Sequence, residues 1–172
     1  MGGGAHLVRR FFGSLRPGGP SATDQAWVSA HLLPAERHLW ARMSGPDRRH
    51  AAGVARAVER SLGEEASRPV LAAALLHDVG KVESGLRTYG RVVATLCGKV
   101  AGPAMAESWR RQRGYARRVG LYLLHAELGA DLLELAGSDP LTVAWTREHH
   151  LPPDSWTVPS ALAEALKAAD ND

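Results

Sequence analysis

An all-α fold is what this sequence predicts, and three observations predict it. Of 172 residues, 45% are hydrophobic but only 6% aromatic, with Ala, Leu and Val dominating the apolar set. That composition favours packed helices over a sheet sandwich. From Ser21 onward, Ser and Pro repeatedly open apolar stretches that Gly or Pro then closes, which is the punctuation of helices. The length suits one domain large enough to bury a core. The expected architecture is a bundle of about five to seven helices over residues 21–172.

Taken in order, residues 1–20 hold GGG, HLVRRFFGSLR and PGGP, a basic and partly apolar stretch between flexible punctuation. A flexible tail is the favoured reading; the alternative is a short interfacial helix presenting Phe11, Phe12 and arginines to an anionic membrane. Ser21 or Thr23 can cap a helix to about Leu33, and Pro34 can occupy the first position of the next. Ser44 with Pro46 opens a long helix to about Leu62, which Gly63 ends. Residues 69–78, PVLAAALLHD, are apolar all round. This helix should cross the core and carry His77-Asp78 at its C-terminal end, with Gly80 as the stop. Residues 115–136 read as helical with a break near His125, Ser138 caps a helix to His149, and 160–170 forms the last helix beyond Pro152-Pro153.

The net charge is +3, unevenly placed. Between 84 and 120, Arg87, Arg91, Lys99, Arg110, Arg111, Arg113, Arg117 and Arg118 face Glu107 alone, a local +7 that leaves −4 for the rest. The segment is long for a connection, so one reading is an anion-attracting lid beside a site. The others are a solvated basic face or a surface for membrane lipid or nucleic acid. Without interleaved aromatics or a nucleic-acid-binding motif, nucleic acid is disfavoured. One cysteine, Cys97, excludes an internal disulfide and suggests a reducing, cytoplasmic setting. No apolar run approaches the roughly 18–20 residues that span a bilayer, and no secretory leader is evident.

The chemistry resides in five ordered positions: His50, His77-Asp78, His125, His149-His150 and Asp170. Mixed imidazole and carboxylate sets bind borderline divalent metals. An unpaired acid at the end of so apolar a run as 69–78 would be costly to bury, which favours ligation by Asp78. Adjacent helical side chains diverge by about 100°, so His77 and Asp78 suit two neighbouring ions better than one tetrahedral site. His6, His31 and His38 fit no such spacing and are read as packed or surface residues.

Order and local context resemble the HD superfamily of metal-dependent phosphohydrolases. The family's early His, His-Asp pair and late Asp map onto His50, His77, Asp78 and Asp170. HDVGK at 77–81 is similar to the HDxGK form, HAELGADLL at 125–133 to the HxxxGxxLL segment, and EHH at 148–150 supplies a further His. The resemblance implies divalent ions, two in number, with His50, His77 and Asp170 on the first, His125 with His149 or His150 on the second, and Asp78 bridging. Of His149 and His150, one could ligate while the other meets substrate, or both could ligate. Iron or manganese is favoured over zinc in a set without thiolate.

Such a pair lowers the pKa of a bridging water, making it a hydroxide aimed at phosphorus. Asp78 and Lys81 are the catalytic candidates. Lys81, with Arg117 and Arg118, is the candidate contact to substrate phosphate; the alternative for Lys81 is complementing the helix dipole. The sequence after His150 is LPPDSW rather than Gly-Tyr-Pro, which argues against cyclic di-GMP hydrolysis. Lys81 stands where nucleotidase-like relatives place an acid. The expected substrate is therefore a phosphorylated small molecule, a nucleotide or dinucleoside polyphosphate. The rival is a non-catalytic HD module serving as a metal-stabilised binding or signalling scaffold, docked through its basic segments.

Overall fold

A computed structural model describes residues 18–171, with ten α-helices and three short 3-10 segments as the regular structure among them. Ser21 caps α1 (Ala22–His31) by accepting from Asp24 N at 3.0 Å, and Pro34 starts α2 (Pro34–Arg42). Buried Glu36 closes the first turn of α2 by accepting from Leu33 N at 2.7 Å and also meets Arg68 at 3.3 Å. Ser44 caps α3 (Gly45–Leu62), and Gly63 ends it at φ +55.

Helix α4 (Arg68–Leu76) is the axis of the molecule. Val70 through Leu76 are all buried, and α4 packs against α1, α3, α9 (Pro140–Glu148) and α10 (Ser160–Asn171). A helix apolar on every side is stable only with neighbours all round, and Leu75 and Leu76, fully buried, each contribute about 1.5–3 kcal/mol of burial. A 3-10 segment, Val79–Ser84, follows and packs against α2, α7 (Gly114–Leu123) and α8 (His125–Leu135). Helices α5 (Thr88–Val100), α6 (Pro103–Arg110) and α7 enclose a second, smaller core of Leu86, Ala94 and Val119.

Several expectations are corrected. Ten helices replace the expected five to seven because 84–120, read as one connection, folds into α5, α6 and the start of α7, and because the break at Leu124 fully separates α7 from α8. Helix α4 stops at Leu76, before His77, and Gly80 is not the stop. Gly80 lacks positive φ; a Cβ there would overlap the His125 carbonyl and lie 2.6 Å from Gly129 N. Close approach of α8 is what requires the glycine, and the left-handed stop comes at Gly85, φ +58. The cap of α9 is Asp139, accepting from Leu141 N at 2.9 Å, rather than Ser138. Of the expected tail, residues 1–17, including Phe11 and Phe12, lie outside the described residues.

Candidate metal centre

Three imidazoles reach the site from helix C-termini. His77 caps α4, His149 caps α9, and His125 follows Leu124 at the end of α7. Each ring turns its Nδ1 to the carbonyl three residues back: Ala74 at 2.9 Å, Tyr122 at 2.7 Å and Thr146 at 2.8 Å. Last-turn carbonyls lack helical partners, and a carbonyl only accepts, so Nδ1 carries the proton in all three rings. One hydrogen bond thus caps the helix, keeps Nδ1 the protonated backbone-facing nitrogen and turns Nε2 inward.

The inward atoms form two groups, each with its potential ligand atoms mutually within 4.8 Å: His50, His77 and Asp170, and Asp78, His125, His149 and His150. In the first, Asp170 Oδ1 lies 3.0 Å from His50 Nε2 and 3.5 Å from His77 Nε2. In the second, Asp78 Oδ1 lies 3.3 Å from His125 Nε2 and 3.9 Å from His149 Nε2, while His150 Nε2 is 3.1 Å from His125 Nε2. Asp78 joins the groups, since its other oxygen lies 3.5 Å from His77 Nε2. Lys81 forms a short ion pair with that same Oδ2. It therefore stands at the carboxylate itself rather than beyond the helix end.

Electrostatics and unmet valence both call for cations. His77 is buried, which opposes its charging, yet Asp78 and Asp170 overcome burial and lift its pKa to about 10. Burial also works against the Asp78 carboxylate, but Lys81 and His77 hold it well below the usual range. Burial pushes His149 far down, keeping its ring neutral and able to act as a ligand. Nε2 of His77 and of His149 are buried without a hydrogen-bond partner among the described residues. Buried polar atoms left in this state are costly, and a divalent ion in each of the two groups would satisfy them. Donor type, tautomer and orphaned atoms all fit a metal.

All seven sequence-predicted ligands therefore converge. Asp170, on the final helix, is buried and fixed by His50. The phosphate candidates do so less well: Arg118 donates to the Ser84 and Gly85 carbonyls and so caps the 3-10 segment, and Arg117 is exposed on α7. Arg110 and Arg111 pair with Glu107, and Arg91 with Asp47. His31 bonds the Trp27 carbonyl in its own helix. A surface cleft of about 560 Å³ beside Arg147 and Thr157 contains none of the candidate ligands.

Sequence reasoning missed Lys167, whose Nζ donates to the His149 carbonyl at 2.7 Å. Its place three residues before Asp170 on one helix was the available signal. Glu148, too, is buried and accepts from Thr157 N and Oγ1 at 2.7 and 2.6 Å, pinning the turn after His150. A family model described as HD domain matches residues 48–172. No curated protein and no solved structure matches the chain.

Proposed function

Because the chain belongs to the HD domain family of metal-dependent phosphohydrolases, we propose that it hydrolyses a phosphoester or phosphoanhydride of a nucleotide or dinucleoside polyphosphate at a dinuclear centre. The observation that carries this reading is the pair of ligand groups joined through Asp78. His50, His77 and Asp170 would hold one ion; His125, His149 and His150 the other; Asp78 would touch both. An all-nitrogen and oxygen donor set favours iron or manganese. When bound, such ions supply Lewis acidity toward phosphoryl oxygens and acidify water.

The protein's own groups supply the rest. The backbone-fixed tautomers keep the imidazoles aimed at one place without reorganisation. Lys81, half-buried beside Asp78, is assigned as the cation that meets phosphate oxygens. Burial opposes its charge but Asp78 more than compensates, raising its pKa, so it stays an ammonium at neutral pH.

The test is metal analysis of protein purified without chelator, then a panel of phosphoesters and anhydrides with added manganese or iron. About two ions per chain and turnover of a nucleotide are expected, with Lys81→Ala lowering kcat by about 10²-fold while metal content stays unchanged. No turnover above a metal-free control, across the panel, would instead make the protein a metal-stabilised scaffold.

A further inference from the structure

Helix α5 is packed with its small residues inward and its large ones outward. Gly90, Ala94 and Gly98 recur every four residues on the inner side: Ala94 is fully buried, a Cβ at Gly90 would meet Leu86 at 3.0 Å and the Tyr115 hydroxyl at 3.5 Å, and one at Gly98 would come within 2.6 Å of Leu123. Tyr89, Val92, Val93 and Leu96, at i, i+3, i+4 and i+7, are instead 74%, 38%, 46% and 58% exposed. That spacing draws one continuous stripe along the helix. Tyr115, half-exposed, lies beside α5, its hydroxyl donating to the Gly90 carbonyl at 3.4 Å.

The charge around the stripe identifies its partner. Arg87 opens α5, and Arg113 and Arg117 flank Tyr115; all three are exposed and form no ion pair among the described residues. The acid of this region, Glu107, is already engaged by Arg110 and Arg111. A second copy docked face to face would bring these arginines together without counter-charge. A nucleic acid would satisfy the arginines and leave the aliphatic stripe without a role. An anionic lipid surface meets both demands, because acyl chains take the apolar side chains while headgroups take the guanidinium groups and tyrosine hydroxyls.

We propose that the outer face of α5, with Tyr115, Arg87, Arg113 and Arg117, is a docking surface for an anionic membrane. Full-length protein is sedimented with vesicles of phosphatidylcholine alone or mixed with phosphatidylglycerol, alongside the double variant Val93→Ser/Leu96→Ser and the control Leu135→Ser. Leu135 is 88% exposed on α8, so the control removes an equally accessible apolar side chain elsewhere. Wild type and Leu135→Ser should bind the anionic vesicles alone. The double variant should bind at least about tenfold more weakly, having lost two inserting side chains, with an unchanged melting temperature.

Undiminished binding by the folded double variant overturns the proposal, as does equal binding to neutral vesicles or none by wild type. So would a wild-type dimer that the double variant dissociates without any vesicle binding, which would assign the face to a second copy. Binding to single-stranded RNA in preference to the vesicles would also overturn it.

Discussion

Asp78 is the residue on which both ligand groups depend, with one oxygen toward His77 and the other toward His125 and His149. Asp78→Ala should therefore strip nearly all bound metal, whereas His125→Ala, which touches one group, should strip about half. Plasma emission analysis of the two purified variants decides it, and equal losses would argue against bridging. His77 makes a second forecast. Its pKa of about 10 in metal-free protein means that a proton holds the position until a cation displaces it, and its ligand form is the neutral one. Manganese affinity should then rise nearly tenfold per pH unit between about pH 6 and 9 and flatten near 10, with a proton released on binding. Asp78 stays ionised throughout this range and adds no slope. Titration calorimetry in buffers of different ionisation enthalpy measures this, and a pH-independent affinity would remove His77 from the ligand set.

Among the elements, the 3-10 segment Val79–Ser84 sets the position of the site, because α8 rests directly on its backbone. A methyl at Gly80 would strike the backbone of His125 and Gly129, and neither can yield as a flexible side chain would. Gly80→Ala should cost about 3 kcal/mol or more, lowering the melting temperature by roughly 6–12 °C, and should displace His125 enough to weaken metal binding. Gly129→Ala faces contacts of 3.0 Å to Gly80 N and Thr146 Cγ2, but it lies inside α8, where alanine gains about 1 kcal/mol of helix propensity. Its net effect should stay within about 1 kcal/mol. Calorimetric scans of both variants test the contrast, and similar melting temperatures would mean that the crossing is looser than these distances state.

At the scale of the molecule, the candidate ligands come from α3, the end of α4, the junction of α7 and α8, the end of α9, and α10. Metal binding there would therefore cross-link segments between positions 50 and 170. A ligand at about 100 times its dissociation constant stabilises the native state by about 2.7 kcal/mol. Chelation should accordingly lower the melting temperature by about 5–10 °C, and Asp170→Asn should reproduce part of that loss. An unchanged melting curve after verified metal removal would mean that the bundle holds its ligands in place without ions. Among the described residues no helix is long and apolar enough to cross a membrane.

Helix caps and the apolar run were local, and the sequence determined them. Ser21, Pro34, Ser44 and Gly63 bound α1, α2 and α3 as their chemistry requires, and Val70–Leu76 announced a buried axis ending at His77 and Asp78. The candidate ligand positions were visible too: burial cost singled out His77 and Asp78, the HD-type order of motifs supplied the others, and the structure brings all seven together. Which nitrogen each imidazole presents was not legible, because it depends on carbonyls freed where α4, α7 and α9 end. Nor was the role of Gly80, which answers to a backbone 45 residues away. The basic stretch 84–120 was ambiguous for the same reason: its charges and apolar residues were visible in order, but only packing against α7 decided that Gly90, Ala94 and Gly98 face inward. Periodicity assigns residues to a face of a helix, and the tertiary neighbour decides which face is covered.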